Sequence, residues 1–596
     1  MSEDNRSTAG SRPARRTSAK GRISRNRNAE NLRRPAGTVQ KYGGQTQNSG
    51  RTAQNYRGQA QNSGRTARYS GGTAQNSGRR GTKQSSLGTS TGRGSRNTKG
   101  NRNKGREIPP VSLERNSNII DGITFGFSIA LLLGSAVGCI YSGAGDTLIE
   151  DFIRILTMPA PLVTDYFALG SLPATFLNAG LCGLSMALIM FFMPGLSHVN
   201  TLAGFFLIIS HCFYGLNFLN MWPCFLAPFL YLKLKNLNYN DNLHICMFAT
   251  CFAPFVSELL FRYIQGDMYR TGTITITLRG CLLTVVFMFI LAFVAPAILP
   301  GVNAWHKGYN LYNGGLAYGM FGFLLFSFLY RTMGVEYPHV PIRHNQLYNL
   351  AGNSYRLFGN TFFLLLFLAC LAAGWFLNGR SFKGIEVFFR DTGYHSNFAQ
   401  KYGMRLCLIN IGLYGLFFLV YINIVIHFTR GAGFTAPTFG VILAALTFTS
   451  MGQHARNVWP IFIGYPLLSL FSTLFNHLIG GNALWTVSTQ AYINSVAFAT
   501  GLCPIVGRYG SIAGIIAGML CAALCTATSS LHGGLVLYNG GFTAGITALI
   551  LLPILEHYIP NPRNDMNHHI DLRDMITLRG PSTDPQNETN PEKSRE

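Results

Sequence analysis

Charge is what this sequence lacks first. Only 12% of its 596 residues are Asp, Glu, Lys or Arg, about half the share of a soluble domain. The shortage is deeper over most of the chain, because the charge is crowded into one end. Residues 1–116 hold 25 Lys/Arg and 5 Asp/Glu, leaving 23 bases and 19 acids for the 480 residues that follow. That body is nearly neutral and cannot cover a globule with ionised side chains. Catalytic signatures are lacking too. There is no Walker loop, no GxGxxG behind a strand, no HExxH and, in the apolar body, no GxSxG, so nothing speaks for ATP-driven or soluble-type catalysis. No enzyme activity, cofactor or metal site is expected. The twelve cysteines include no CxxC and none lies in the basic end; scattered thiols in apolar segments are ordinarily small core residues. The N-terminus has no short apolar h-region. No secretory signal is expected, and the first membrane helix has to act as its own insertion signal.

What is present is a series of apolar runs of about 17–25 residues, the length that crosses a hydrocarbon core. The fold class is an all-α polytopic membrane protein with about 12–14 transmembrane or re-entrant helices. Residues 1–116 form an Arg/Gly/Asn/Ser-rich tail with almost no large apolar side chain, a composition that stays disordered. QNSGR recurs in it at Gln47–Arg51, Gln61–Arg65 and Gln75–Arg79. Two readings of the tail are open: it binds anionic lipid headgroups or nucleic acid, or it is a solvated extension that fixes orientation. In both, basic flanks stay cytoplasmic.

The body reads as a duplication. HKGYNLYNGGLAYG (His306–Gly319) returns as HGGLVLYNGGFTAG (His532–Gly545). Four further landmarks precede it in the same order. Gly122-Ile-Thr-Phe125 matches Gly359-Asn-Thr-Phe362. Asn178-Ala-Gly-Leu-Cys-Gly-Leu184 matches Asn410-Ile-Gly-Leu-Tyr-Gly-Leu416. Gly215, Asn220, Trp222 and Pro223 match Gly452, Asn457, Trp459 and Pro460. Phe248-Ala-Thr250 with Pro254 matches Phe498-Ala-Thr500 with Pro504. Five collinear matches define a first repeat (117–332), a linker (333–355), a second repeat (356–557) and a polar C-terminal tail (558–596). Each repeat has seven apolar segments, so if all cross, the second is inverted. Segments such as Met221–Leu232 and Thr438–Thr449 are short enough to re-enter instead.

Several repeated residues are candidates for a solute site. The Gly314-Gly315 and Gly540-Gly541 pairs fit a helix start or break, since each Gly in a helix middle costs about 1 kcal/mol against Ala. Asn310, Tyr312, Asn313, Tyr538 and Asn539 would then present polar groups at membrane depth, with Asn178 and Asn410 nearby. Broken helices at equivalent places in two halves point to a transport site; close helix packing through small residues is the other reading. Asn220 and Asn457 with Pro223 and Pro460 fit capped half-helices. Pro254 and Pro504 imply kinks whose freed carbonyls bind solute or face water. Asp165, Glu258, Arg262 and Arg508 are the intramembrane charges, with Asp165 or Glu258 as coupling groups and Glu258–Arg508 as a pair across the repeat axis. His306 and His532 read as helix-end or loop residues.

LVTDYFALGSLPATFLNAGL (Leu162–Leu181), HKGYNLYNGGLAYG and LHGGLVLYNGGFTAG (Leu531–Gly545) resemble the family known as domain of unknown function 1576, over about residues 118–557. The resemblance implies a bacterial multi-pass membrane protein and brings no activity with it. YNGG is also similar to the GFNG element of urea transporters, by analogy only. The function expected is a transporter or channel for a small polar solute or ion, in the cell membrane, with a site between inverted repeats. The alternative is a non-transporting scaffold or sensor whose tail recruits anionic lipid, nucleic acid or protein partners.

Overall fold

The computed structural model describes residues 113–158, 161–193, 195, 197–262, 276–333, 354–428, 433–480 and 490–568. The basic tail, most of the 333–355 linker and residues 569–596 lie outside the described residues, as does the side chain of Arg262. No strand occurs among the described residues. The first repeat runs α1 (Leu113–Ser142), α2 (Leu148–Thr157), α3 (Tyr166–Leu169), α4 (Leu172–Phe192), α5 (Val199–His211), α6 (Met221–Leu234), α7 (Tyr239–Ala249), α8 (Ala253–Ser257), α9 (Leu278–Trp305) and α10 (Asn313–Phe326). The second runs α11 (Arg356–Leu377), α12 (Ile385–Phe388), α13 (Phe398–Lys401), α14 (Met404–Phe428), α15 (Ala436–Ala444), α16 (Ala455–Ile479), α17 (Gln490–Ala499), α18 (Cys503–Leu531) and α19 (Asn539–Tyr558).

Ten helical runs are long and apolar enough to cross a membrane. One of them, Gln490–Leu531, is 42 residues long and is broken at Gly510, whose φ of 88° no helix contains. Divided there, and joined by the short apolar helices α5, α6 and α15, the set comes to fourteen, as the sequence anticipates. Exposure separates two kinds of helix. α9 and α11 turn large apolar side chains outward, among them Leu282, Val286, Phe289, Leu357 and Leu365, a face suited to lipid. Every residue of α15 is buried, and every residue of α5 except Asn200. Helices apolar on all sides belong in a core, so these two are internal half-helices.

The repeats run in opposite senses. The start of α1 is tied to the start of α14: Asn116 Nδ2 donates to Ala399 O (2.9 Å), and Met404 N donates to Asn116 Oδ1 (2.9 Å). The loop that α11 enters at its C-terminus ends at this same point, so α1 leaves the face at which its counterpart α11 arrives. The turn after α4 also lies there, because Ser197 hydroxyl bonds to Asp121 near the start of α1; its counterpart α14 begins there. α19 ends beside Lys307, whose Nζ is 2.7 Å from Glu556 Oε2. The chain beyond α19 packs on this face as well, Arg563 Nε donating to Gly507 O (2.6 Å) and Met566 N to Arg390 O (3.0 Å). Both ends of the described body therefore share one face, here the terminal face.

Equivalent helices use equivalent contacts. α1 packs closely on α4 at Gly134 and Gly180, and α11 on α14 at Gly374 and Gly412. Between α1 and α11 lies an apolar groove of about 1000 Å³ lined by Gly122, Gly126, Leu133, Leu365 and Ala369.

Candidate functional site at the junction of the repeats

Each LYNGG segment is a buried loop followed by a helix start. α9 stops at Trp305, and the chain turns through Lys307 (φ 51°) and Gly308 (φ 79°) before α10 begins at Asn313. α18 stops at Leu531, turns through Gly533 (φ 61°) and Gly534 (φ 73°), and α19 begins at Asn539. Positive φ suits glycine at three of these four positions. From the Gly315–Gly541 contact to Glu556 is fifteen residues, about 22 Å of helix. Glu556 meets Lys307, and from there the chain runs inward through residues 308–312 to the start of α10. The Gly314-Gly315 and Gly540-Gly541 pairs fall in the first turns of α10 and α19.

The two loops dock on each other's repeat. Leu311 N donates to Gly501 O (2.8 Å), and Leu537 N donates to Cys251 O (3.0 Å). Both acceptors sit in 3-10 turns, Thr250–Phe252 and Thr500–Leu502, that carry Pro254 and Pro504 into the next helix. The kinks are as expected, but those carbonyls hold the opposing loop rather than solute or water.

At the centre the helix starts touch. A Cβ on Gly315 would fall 2.4 Å from the Cα of Gly541, and one on Gly541 would fall 2.0 Å from the Tyr312 ring. Gly319 packs on Phe542 and Gly545 on Leu316. Gly314 lies against Phe248 as Gly540 lies against Phe498. The glycines are thus packing residues: their missing side chains let two helix N-termini meet. Around them are Tyr312 and Tyr538 (ring centroids 5.1 Å apart), Phe498 stacked on Tyr312 (5.5 Å), and Phe448 and His211, one beside each tyrosine (5.3 Å in both cases). The hydroxyls of Tyr312 and Tyr538 are buried with no hydrogen bond of normal geometry, as is Nδ2 of Asn310, whose Oδ1 accepts from Tyr312 N (3.0 Å).

Histidine and asparagine pair seven residues apart in both copies. His532 Nε2 is 3.0 Å from Asn539 Oδ1, and Asn539 Nδ2 donates to Cys525 O (3.0 Å). His306 stands over Asn313 in the same way without closing a bond of normal geometry. His306 and His532 follow the last residues of α9 and α18 directly. No cluster of three metal-ligating side chains occurs among the described residues.

Other candidates lie elsewhere. Asn178 Nδ2 donates to Cys212 O (2.9 Å) and Leu216 O (3.1 Å), and its Oδ1 accepts from Phe218 N (3.0 Å). Asn410 Nδ2 donates to Thr449 O (2.9 Å) and Gln453 O (2.8 Å). These amides satisfy the chain ends of half-helices α5 and α15, whose last carbonyls have no acceptor role within the helix, so their donors are not turned to a solute. Asn220 and Asn457 close the same turns, donating to Gly215 O (3.0 Å) and Gly452 O (2.8 Å). Pro223 is in the first turn of α6, whereas α16 starts earlier and holds Pro460 inside.

Asp165 caps α3 through Phe167 N (3.0 Å) and reaches across to Ala436 N (3.1 Å), the first residue of α15. Glu258 is buried at the end of α8. Arg508 is on the terminal face, bonded to Asn564 and stacked 4.8 Å over Tyr394. No described ion pair joins Glu258 to Arg508. Inversion explains the miss: equivalent residues near the ends of inverted helices sit on opposite faces.

Sequence reasoning passed over one cavity. A cavity of about 30 Å³ lies beside the start of α19, with Tyr214, Asn494, Ser529, Phe498, Asn539 and Gly540 in its wall. Its signal was a departure from the repeat: Asn494 has His244 as its counterpart and Tyr214 has Met451.

No curated protein and no solved structure matches the chain. The profile of one family, described as "Protein of unknown function (DUF1576)", matches residues 145–331 and again residues 377–557. The two matched stretches begin at corresponding places, after α1 and at the end of α11, and together they cover more than half of the sequence, so the chain belongs to the DUF1576 family.

Proposed function

We propose that this protein is a transporter or channel for a small polar solute or ion, working in the cell membrane. The observation that carries the reading is the pair of half-helices α10 and α19. They begin at one point on the axis of two inverted repeats, each approached by a buried non-helical loop. Irregular backbone at that depth is tolerated against protein or a water-filled cavity, and helix starts there supply unpaired N–H groups and a positive dipole end. The hydroxyls of Tyr312 and Tyr538 add buried polar atoms that make no hydrogen bond of normal geometry. Basic residues in the 378–405 loop and in the tail support a cytoplasmic terminal face by the positive-inside rule. The tail then meets anionic headgroups or nucleic acid on that side.

The test is flux in proteoliposomes, with a panel of uncharged solutes and monovalent salts. The expected result is flux above protein-free vesicles that falls about tenfold in Tyr312→Phe plus Tyr538→Phe, the loss of two hydrogen bonds of about 0.5–1.5 kcal/mol each. Flux equal to empty vesicles for every compound would leave a non-transporting scaffold or sensor.

A further inference from the structure

The cavity beside the start of α19, lined from both repeats, presents three kinds of donor. α19 is 20 residues long, and the N–H groups of its first turn have no acceptor within the helix. Gly540 lies in the cavity wall, with Phe498 packed on the side where a Cβ would stand. The second donor is Asn494, 9% exposed. Its orientation is set by a relay: Thr435 Oγ1 donates to Gln490 Oε1 (2.7 Å), and Gln490 Nε2 donates to Asn494 Oδ1 (2.8 Å). That leaves Asn494 Nδ2 as the free end, buried and without a partner. The third is the Tyr214 hydroxyl, fully buried and also without a partner. Asn539 contributes no free acceptor, since its Oδ1 already takes the His532 contact and its Nδ2 is bonded to Cys525 O.

No Asp, Glu, Lys or Arg lines the space. Asp165, two residues along the chain from the wall residue Val163, has its Oδ1 turned to the N–H groups of Phe167 and Ala436. A volume of about 30 Å³ holds two water-sized particles or so, too little for an organic solute. Helix N-termini with converging donors are ready-made anion sites.

We propose that this cavity binds one small monovalent inorganic anion, of halide size, between Asn494 Nδ2, the Tyr214 hydroxyl and the first-turn N–H groups of α19. Resting on the transport reading above, this assigns the solute class as a small anion. The first repeat has no second copy, because His244 and Met451 replace Asn494 and Tyr214, so one ion binds per chain.

The full-length protein is crystallised with sodium bromide in the 1–100 mM range, and bromide is located by its anomalous signal. Melting temperature is followed against sodium bromide and sodium gluconate in parallel. The expected result is a bromide peak in the cavity and saturable stabilisation by bromide alone. Asn494→Asp keeps the acceptor for Gln490 and replaces the free donor by a carboxylate oxygen; it should weaken bromide at least a hundredfold. Tyr214→Phe, which removes one hydroxyl, should weaken it about tenfold. Water in the cavity at saturating bromide overturns the proposal. So does a bromide peak that persists in Asn494→Asp. The two ideas fail separately: flux of uncharged solutes with no bromide bound sinks the anion site and leaves the carrier, whereas bound bromide without any flux sinks the carrier and leaves the site.

Discussion

Gly315→Ala tests the central contact most directly. The new methyl would sit 2.4 Å from both the Cα and the carbonyl carbon of Gly541, where ordinary van der Waals contact begins near 3.4 Å. The obstacle is backbone, so no rotamer change relieves it. The helices α10 and α19 would have to part by about 1 Å along their crossing. Overpacking of this kind costs about 1–3 kcal/mol. Gly122→Ala is the matched control, since nothing lies within 4 Å of a Cβ there and the site opens on the α1–α11 groove. In mid-helix it should gain about 0.5–1 kcal/mol from the loss of glycine's entropy. The two substitutions act in opposite directions for the same added carbon and therefore differ by about 1.5–4 kcal/mol. The assay is thermal unfolding of the full chain in detergent at matched scan rates, because membrane proteins of this size commonly unfold irreversibly. Gly315→Ala should melt several degrees below wild type and Gly122→Ala at or above it. Equal melting of the two variants would refute the contact between the repeats.

Asn178→Ala should destabilise more than Asn410→Ala, because it strands two carbonyls and one N–H rather than two carbonyls, at about 1–3 kcal/mol per unsatisfied group; the same melts check it. His211→Phe keeps a ring where Phe448 stands in the other repeat but loses the imidazole contacts to Leu207 O (2.6 Å) and Leu537 O (3.2 Å), and should cost about 1–3 kcal/mol; His211→Ala also removes the ring packed on Phe498 and Tyr538 and should cost about 2–4 kcal/mol more. Asp391 gives a pH prediction. Burial of its carboxyl raises its pKa, but Lys401 Nζ (2.5 Å), Ser396 (2.7 Å), Gly393 N–H (2.8 Å) and Tyr402 hydroxyl (2.7 Å) outweigh this and hold it below the usual value. A depressed folded pKa stabilises above the unfolded value of about 4, and that stabilisation is lost as pH falls through the folded pKa. Asp391→Asn should flatten the melting temperature between pH 6 and pH 3, and an unchanged acid limb would reject the assignment.

The repeat and the helix starts were legible because both leave the same residues in both copies. LYNGG needs glycine twice for a backbone contact and appears twice. Of the two segments read as short enough to re-enter, 438–449 holds the internal half-helix α15, whereas 221–232 lies in α6, whose counterpart α16 runs for 25 residues. What the sequence hid was the partner of each polar side chain. Asn178 and Asn410 sit in apolar runs, and an asparagine there reads equally as a ligand or as a cap for a carbonyl end supplied from 34 to 43 residues away. The proposed Glu258–Arg508 pair failed on geometry rather than chemistry, since an offset along the chain says nothing of which face inversion assigns. Asn494 and Tyr214 were missed because they belong to one copy only, and a reading built on matches is blind to them.

That asymmetry bears on where a solute can bind. On the axis itself, Gly315 meets Gly541 and the rings of Tyr312, Tyr538 and Phe498 fill the surroundings. A site placed there would be lined by equivalent residues from both repeats and would compete with the contact that holds them together. A site beside the axis escapes that conflict, and it need exist in one repeat only. The second repeat supplies it where Tyr214 of the first repeat, Asn494 of α17 and the start of α19 converge. The duplicated residues thus join the halves, and in the proposal above the unduplicated ones set the side on which the anion binds. A variant that makes the halves more alike, Tyr214→Met, tests this division: it should leave the Gly315–Gly541 contact intact while removing the hydroxyl donor from the cavity and weakening the stabilisation by bromide.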